Sequence, residues 1–182
     1  ATAAEASRAL FGVIVEGLAD RFEPRLAEVY VRLFSQVMEM AGSSWTGSEL
    51  FERHRRVRRP RRFASNPERA RRVYVLSRVT LGADIAVTSV LLDAAKRRFP
   101  EASIRLVGGE KNHRLFASDP RVEWLPVAYG RAGRLRERLA VGQALGSAIA
   151  KDGGGIVIDP DSRLTQLGLI PVCEEQDYYF FD

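Results

Sequence analysis

The chain has one cysteine, Cys173, in 182 residues. It therefore forms no internal disulfide, and a reducing compartment, most simply the cytoplasm, is the expected setting. It has two histidines and no Cys/His spacing of the kind that holds zinc, so no metal site is expected. Long apolar runs are missing too. The longest near the start, Ala9-Leu10-Phe11-Gly12-Val13-Ile14-Val15, is bracketed by Arg8 and Glu16. It is too short to cross a bilayer and lacks the basic front of a signal peptide, which excludes an integral membrane protein and leaves open peripheral contact at the inner face of a membrane. The three-glycine fingerprint of dinucleotide-binding folds is absent as well. Leu81-Gly82-Ala83-Asp84 offers one glycine where close approach to a pyrophosphate needs three, which argues against a nicotinamide dehydrogenase and leaves no cofactor to expect.

What is present is ordinary for a soluble globular chain: 46% hydrophobic and 28% charged residues, enough length for one well-cored domain and an appendage. The charge is distributed unevenly. Residues 53–72 hold ten arginines against one acid, Glu68, and so carry +9; with +5 for the whole chain, the remainder carries −4. The basicity belongs to one connector. Arginines neutralise phosphates and release counterions, but only Phe63 in this stretch offers a ring for stacking on bases. Anionic lipid headgroups are a second fit. The expected role is a solvated connector, or one pairing with the acidic remainder; nucleic acid is not an expected partner, and binding it through Arg53–Arg72 is kept as an alternative.

Helical spacing runs through Leu10, Ile14, Leu18 and Phe22 in residues 3–22. Pro24 opens a second helix to about Met40, with Leu26, Val29, Tyr30, Leu33, Phe34, Val37 and Met38 as its apolar face. Trp45 to Arg56 reads as a short helix capped by Thr46 or Ser48. These helices suggest a packed cap or a homo-oligomer contact. Ser65-Asn66-Pro67 is a turn signal and marks the expected domain boundary: residues 1–65 a helical extension with its Arg-rich connector, residues 66–182 a second domain.

From Arg72 the pattern becomes strands alternating with helices. Strands are expected at 72–76, 103–107, 122–127, 156–159 and 178–181, with helices at 84–99, 110–117 and 131–150. Short β-branched runs such as Val73-Tyr74-Val75-Leu76 belong to strands covered on both faces. The expected fold is α/β: a Rossmann-like parallel sheet with helices on both faces, preceded by the α-helical extension, with ligands beyond the carboxyl ends of the strands.

The first turn of that domain draws the chemistry together. Asp84 opens a helix whose polar strip is Ser89, Asp93, Lys96 and Arg97, yet at about 100° per residue it projects toward the apolar side. A helix N-cap explains a carboxylate there. The alternative is a general base at the sheet edge, favoured by the helix dipole and within reach of a substrate hydroxyl. Arg78 and Thr80 flank the same turn and suit an acidic ligand, or else a salt bridge to Asp84 and a turn hydroxyl. Asp159-Pro160-Asp161-Ser162-Arg163, with Gln166, ends the fourth strand on the same edge and reads as acceptor contacts or as an Asp-Pro turn. Glu110, Lys111 and His113 follow the second strand, and His113 reads as a surface residue.

Arg78-Val79-Thr80-Leu81-Gly82-Ala83-Asp84, the helix end Ala94-Ala95-Lys96-Arg97-Arg98-Phe99-Pro100, Asp119-Pro120-Arg121-Val122 and Ile158-Asp159 through Arg163 resemble glycosyltransferase family 9, the heptosyltransferase-like enzymes. The likeness covers roughly residues 72–182. One departure is Ala83, which stands between Gly82 and Asp84 where the family has Gly directly before the Asp. The resemblance implies a GT-B enzyme of two Rossmann-like halves, of which this chain holds the N-terminal acceptor half; the nucleotide-sugar would bind mainly to the second. It implies metal-independent, inverting transfer of a hexose or heptose to a glycan or lipopolysaccharide-like acceptor, with Asp84 as base and Arg78, Thr80, Gly82, Asp161, Arg163 and Gln166 toward the acceptor. The half alone would be inactive. The chain begins without Met and stops in the strand-like Tyr178-Tyr179-Phe180-Phe181-Asp182, so it is expected to be part of a longer one. The other class to weigh is a non-catalytic binding or assembly module of the same fold.

Overall fold

A computed structural model of the chain describes residues 3–19, 21, 23–63, 70–130 and 135–181. Two compact units emerge, residues 1–56 with 130–139, and residues 57–129 with 140–182. The expected boundary at Ser65-Asn66-Pro67 lies outside the described residues, and the division falls earlier, after Arg56. The physical reason is that the connector already packs on the second unit. The Phe63 ring meets Phe99 at 5.3 Å and Tyr179 at 4.2 Å, and the Arg61 guanidinium lies 4.5 Å over Tyr179. Arg61 also donates to the carbonyls of Glu175 and Tyr178.

In the first unit, α1 (Ala3–Ala9) runs through a π-helical stretch, Leu10–Val15, into α2 (Glu16–Ala19), followed by α3 (Pro24–Met40) and α4 (Gly47–Val57). A π turn holds more than 3.6 residues, so it rotates the apolar face away from the expected phase. Phe11 is buried while Ile14 is 36% exposed. Phe11 packs edge-on against Phe34 and under the Arg138 guanidinium, and Tyr30 stacks on Phe34. On α3, Val31 is buried and Val29 exposed. Phe22 lies outside the described residues.

Thr46 caps α4. Glu49 Oε2 accepts from the Thr46 N–H at 2.8 Å, and Thr46 Oγ1 accepts from the Glu49 N–H at 3.2 Å, a reciprocal capping box. The Thr46 N–H, then its hydroxyl, holds the Glu49 carboxyl below the usual carboxylate range. Thr46→Ala is expected to destabilise the unit by about 1 kcal/mol in a denaturant titration; an unshifted midpoint would count against the box.

In the second unit, five strands make one all-parallel sheet: β1 (Arg72–Leu76), β2 (Ser103–Gly108), β3 (Val122–Pro126), β4 (Ile156–Asp159) and β5 (Tyr178–Phe180), in the order β3-β2-β1-β4-β5. Parallel neighbours need crossovers, and the chain supplies α5 (Leu81–Ala83), α6 (Ser89–Arg98), α7 (Glu110–Arg114) and α8 (Leu135–Lys151). This is the expected α/β Rossmann-like fold after a helical extension. Residues 131–134 of the anticipated helix 131–150 lie outside the described residues.

One sheet face gathers Val73, Val75, Ile104, Leu106, Ile156 and Ile158 under Leu92 and Ala95 of α6 and Phe99 just after it. On the other, Tyr74 is buried and its hydroxyl donates to Asp152, at the end of α8, at 3.0 Å. Burial, then this carboxylate, pushes the Tyr74 phenol up. Arg105 pairs with the same Asp152 at 2.6 Å and Arg72 at 3.7 Å. Among the described residues no helix is long and apolar enough to cross a membrane.

Candidate functional site

The strand order reverses direction about β1, with β2 on one side and β4 on the other. In doubly wound sheets the ends of the strands at such a reversal are where ligands commonly bind. Register decides what meets there. Val75 lies beside Ile158, so Arg78 and Asp161, each three residues further on, come level across the switch point. They form an ion pair, Arg78 Nη2 to Asp161 Oδ2 at 3.1 Å, with side chains 21% and 19% exposed. Val79, next to the pair, has φ 61°, and Asp161 has φ 58°. For a β-branched residue such as Val79 this conformation is an outlier. It is held by the Val79 N–H donating to Ser77 Oγ at 2.9 Å.

Asp84 does project inward, as its spacing indicates, and further than a site on the open edge allows. It is completely buried. Ser77 Oγ donates to its Oδ2 at 2.7 Å, the Arg78 N–H to Oδ1 at 2.8 Å and Thr88 Oγ1 to Oδ1 at 2.6 Å; Asn112 Nδ2 donates to Oδ2. The expectation that Asp84 stands where a substrate hydroxyl can reach it is therefore corrected: four donors fill its oxygens. Nor is it the helix N-cap. That position is Thr80, whose side chain makes no capping bond, and Asp84 follows α5 inside the helix, where Asp84–Thr88 form a π turn. Extra residues in a turn commonly re-aim side chains at functional sites. Here the turn sets Thr88 and Asp84 on one side, facing the end of β1. Nor does Arg78 pair with the Asp84 carboxylate by its side chain; its backbone N–H does so, while its guanidinium goes to Asp161.

The other expected residues separate into two groups. Thr80, Gly82 and Arg163 stay at the surface or half-buried. Gly82 lies in the first helical turn rather than at the end of a strand, and a Cβ there would meet nothing within 4 Å. Gln166, by contrast, is completely buried at φ 52°, which corrects the expectation of an acceptor contact. The β4 loop folds in through three successive left-handed residues, Gln166, Leu167 and Gly168.

That loop is tied down by Asp159, also completely buried. Asp159 accepts from the Ser162 N–H at 2.7 Å and from the hydroxyls of Thr165 and Tyr178. Ser162 Oγ in turn donates to the carbonyl of Ser77 at 2.5 Å, joining the β4 loop to the β1 loop. Sequence reasoning missed Ser77, Thr88, Asn112 and Thr165. The only local signal was hydroxyl or amide chemistry shortly after a strand at Ser77, Asn112 and Thr165, and the four-residue spacing of Thr88 from Asp84. His113, expected at the surface, stacks on the Trp124 ring at 4.9 Å. The arginine run is likewise divided: Arg53 is buried, Arg61 and Arg72 are engaged as described, and Arg59, Arg62 and Arg71 are exposed. No family model matches the chain, and neither a curated protein nor a solved structure matches it.

Proposed function

We propose that the α/β unit is the acceptor-binding half of an inverting, metal-independent glycosyltransferase of the family 9 type. Its co-substrate would be a nucleotide-sugar bound mainly by a second Rossmann-like half outside residues 1–182. The observation that carries this reading is the Arg78–Asp161 pair at the switch point, about one-fifth exposed, with left-handed backbone at Asp161 itself and at Val79 beside Arg78. Arginine suits the phosphate or carboxylate of an acidic glycan or lipid-linked acceptor. Thr80 and Gly82 leave the first turn of the following helix open beside it, and Arg163 adds a second cation on the same edge. The enzyme would work in the cytoplasm, peripherally at the inner face of the membrane if its acceptor is lipid-linked.

The test uses the full-length protein, a panel of UDP-, GDP- and ADP-linked hexoses and heptoses, and phosphorylated oligosaccharide acceptors. Acceptor-dependent release of nucleoside diphosphate, with inverted anomeric configuration in the product, is the expected result. Arg78→Gln should raise the acceptor KM by about 10- to 100-fold, the worth of a hydrogen bond to a charged group. No transfer with any donor would sink the reading. A second reading, a binding or assembly module without catalysis, is favoured by the burial of Asp84. It predicts acceptor binding without diphosphate release.

A further inference from the structure

We propose that α3 is the two-fold contact of a homodimer, its outward apolar flank packed antiparallel on the same flank of a second copy. At about 100° per residue, α3 divides into three strips. Tyr30, Val31, Phe34, Ser35 and Met38 make the buried one. Arg25, Glu28, Arg32, Gln36 and Glu39 make the polar one, and α4 is held along it: Arg32 lies 4.4 Å over the Phe51 ring, and Glu39 Oε2 accepts from the Gly47 N–H at 2.8 Å. The third strip is Leu26, Val29, Leu33, Val37 and Met40, within about 80° of one another. A helix that packs on its own unit needs one apolar strip, and α3 has two. The second opens outward: Val29 is 52% and Met40 87% exposed, with Leu26, Leu33 and Val37 half-buried.

The spacing of that strip selects its occupant. Leu26 and Met40 lie seven residues either side of Leu33, and Val29 and Val37 four. A copy turned about a two-fold axis at Leu33 therefore sets Leu26 on Met40, Val29 on Val37 and Leu33 on Leu33, apolar against apolar throughout. A two-fold contact requires this self-complementarity. The charged rim agrees with it. Arg25 and Glu39 of the second copy come within two residues of level, about 3 Å along the axis. A parallel pair would instead set Arg25 on Arg25 and Glu39 on Glu39, so charge favours the antiparallel register. The contact does not depend on glycosyl transfer.

Sedimentation of the full-length protein tests it, with a dimer expected at about 100 µM. Val29→Glu and Met40→Glu replace exposed side chains, so the fold, followed by circular dichroism, should be kept. The dimer should loosen by about 100-fold or more, because the two-fold axis buries each new carboxylate twice. Orientation is read with Leu26→Cys and Met40→Cys chains and a short bismaleimide, the wild type with Cys173 serving as blank. Mixed, the two should couple to each other. Met40→Cys alone should not, because its two copies stand about 21 Å apart along antiparallel helices. Self-coupling of Met40→Cys would mean parallel helices and overturn the register. A monomeric wild type, or a dimer unchanged by both glutamate substitutions, overturns the contact; a monomer that co-sediments with phosphatidylglycerol vesicles gives the flank to lipid instead.

Discussion

Asp84→Ala is expected to cost the α/β unit roughly 4 kcal/mol, a loss in the range that orphaned buried polar groups produce. The carboxylate accepts from Ser77 Oγ, the Arg78 N–H, Thr88 Oγ1 and Asn112 Nδ2, at zero exposure. Alanine leaves these donors facing a void too enclosed for free solvation, at about 1–3 kcal/mol for each that finds no substitute. Asp84→Asn should cost less than half as much. Its carbonyl can keep the Arg78 and Thr88 donors on the Oδ1 side. Its NH2 then faces Ser77, whose hydroxyl can turn to accept, and Asn112, whose amide can flip to present oxygen. A urea titration reads both variants: the alanine midpoint should fall by about 2 M at a slope of about 2 kcal/mol/M. Equal midpoints for wild type and alanine would mean that the network stabilises nothing. The pair also bears on mechanism: transfer kept in Asp84→Asn and lost in Asp84→Ala would report a collapsed β1 loop and not a missing base.

The sheet was legible in the sequence for a plain physical reason. Strands buried on both faces must be short apolar runs, and Val73-Tyr74-Val75-Leu76 or Ile156-Val157-Ile158 has no other comfortable home. The inward direction of Asp84 was legible too, from helical spacing alone. Its role was not, because two of its donors, Ser77 and Asn112, come from the end of β1 and from α7 after β2, the second 28 residues away. Asn112 comes within reach because Gly108, which opens the β2 loop, lies close against Ser77: a Cβ there would stand 2.7 Å from the Ser77 Cβ. The Arg78–Asp161 pair spans 83 residues and follows from β1–β4 register, which no local pattern carries. Gln166 misled because a polar residue past a strand end ordinarily faces water, and three consecutive left-handed residues turned it inside. At Phe11 and Ile14 a π turn shifted the phase on which the periodicity argument depends.

Gly155→Ala is expected to be the most damaging small-to-small change on the opposite edge of the sheet. Gly155 leads from α8 into β4, beside the start of β1, and its φ is +151°, a conformation that side chains other than glycine rarely adopt. Strain alone accounts for about 1–3 kcal/mol. Space is the second obstacle. An added Cβ would stand 2.5 Å from the Arg72 carbonyl oxygen and 3.2 Å from its carbon, and these are backbone atoms of β1, not the yielding end of a side chain. Relief requires β4 to move away from β1, and Val73, Tyr74 and Val75 are in register with Ile156, Val157 and Ile158. The same displacement would disturb Arg72, which pairs with Asp152, the acceptor of the Tyr74 hydroxyl. Together the two costs come to about 3 kcal/mol or more, a fall of roughly 6–12 °C in Tm for a protein of this size. Gly154→Ala is the internal control. It too has a left-handed φ, +69°, but nothing lies within 4 Å of its Cβ, so it should lose only the strain. If the two variants melt together, the close approach of Gly155 to Arg72 contributes nothing, and the β1–β4 junction that levels Arg78 with Asp161 is looser than its register implies.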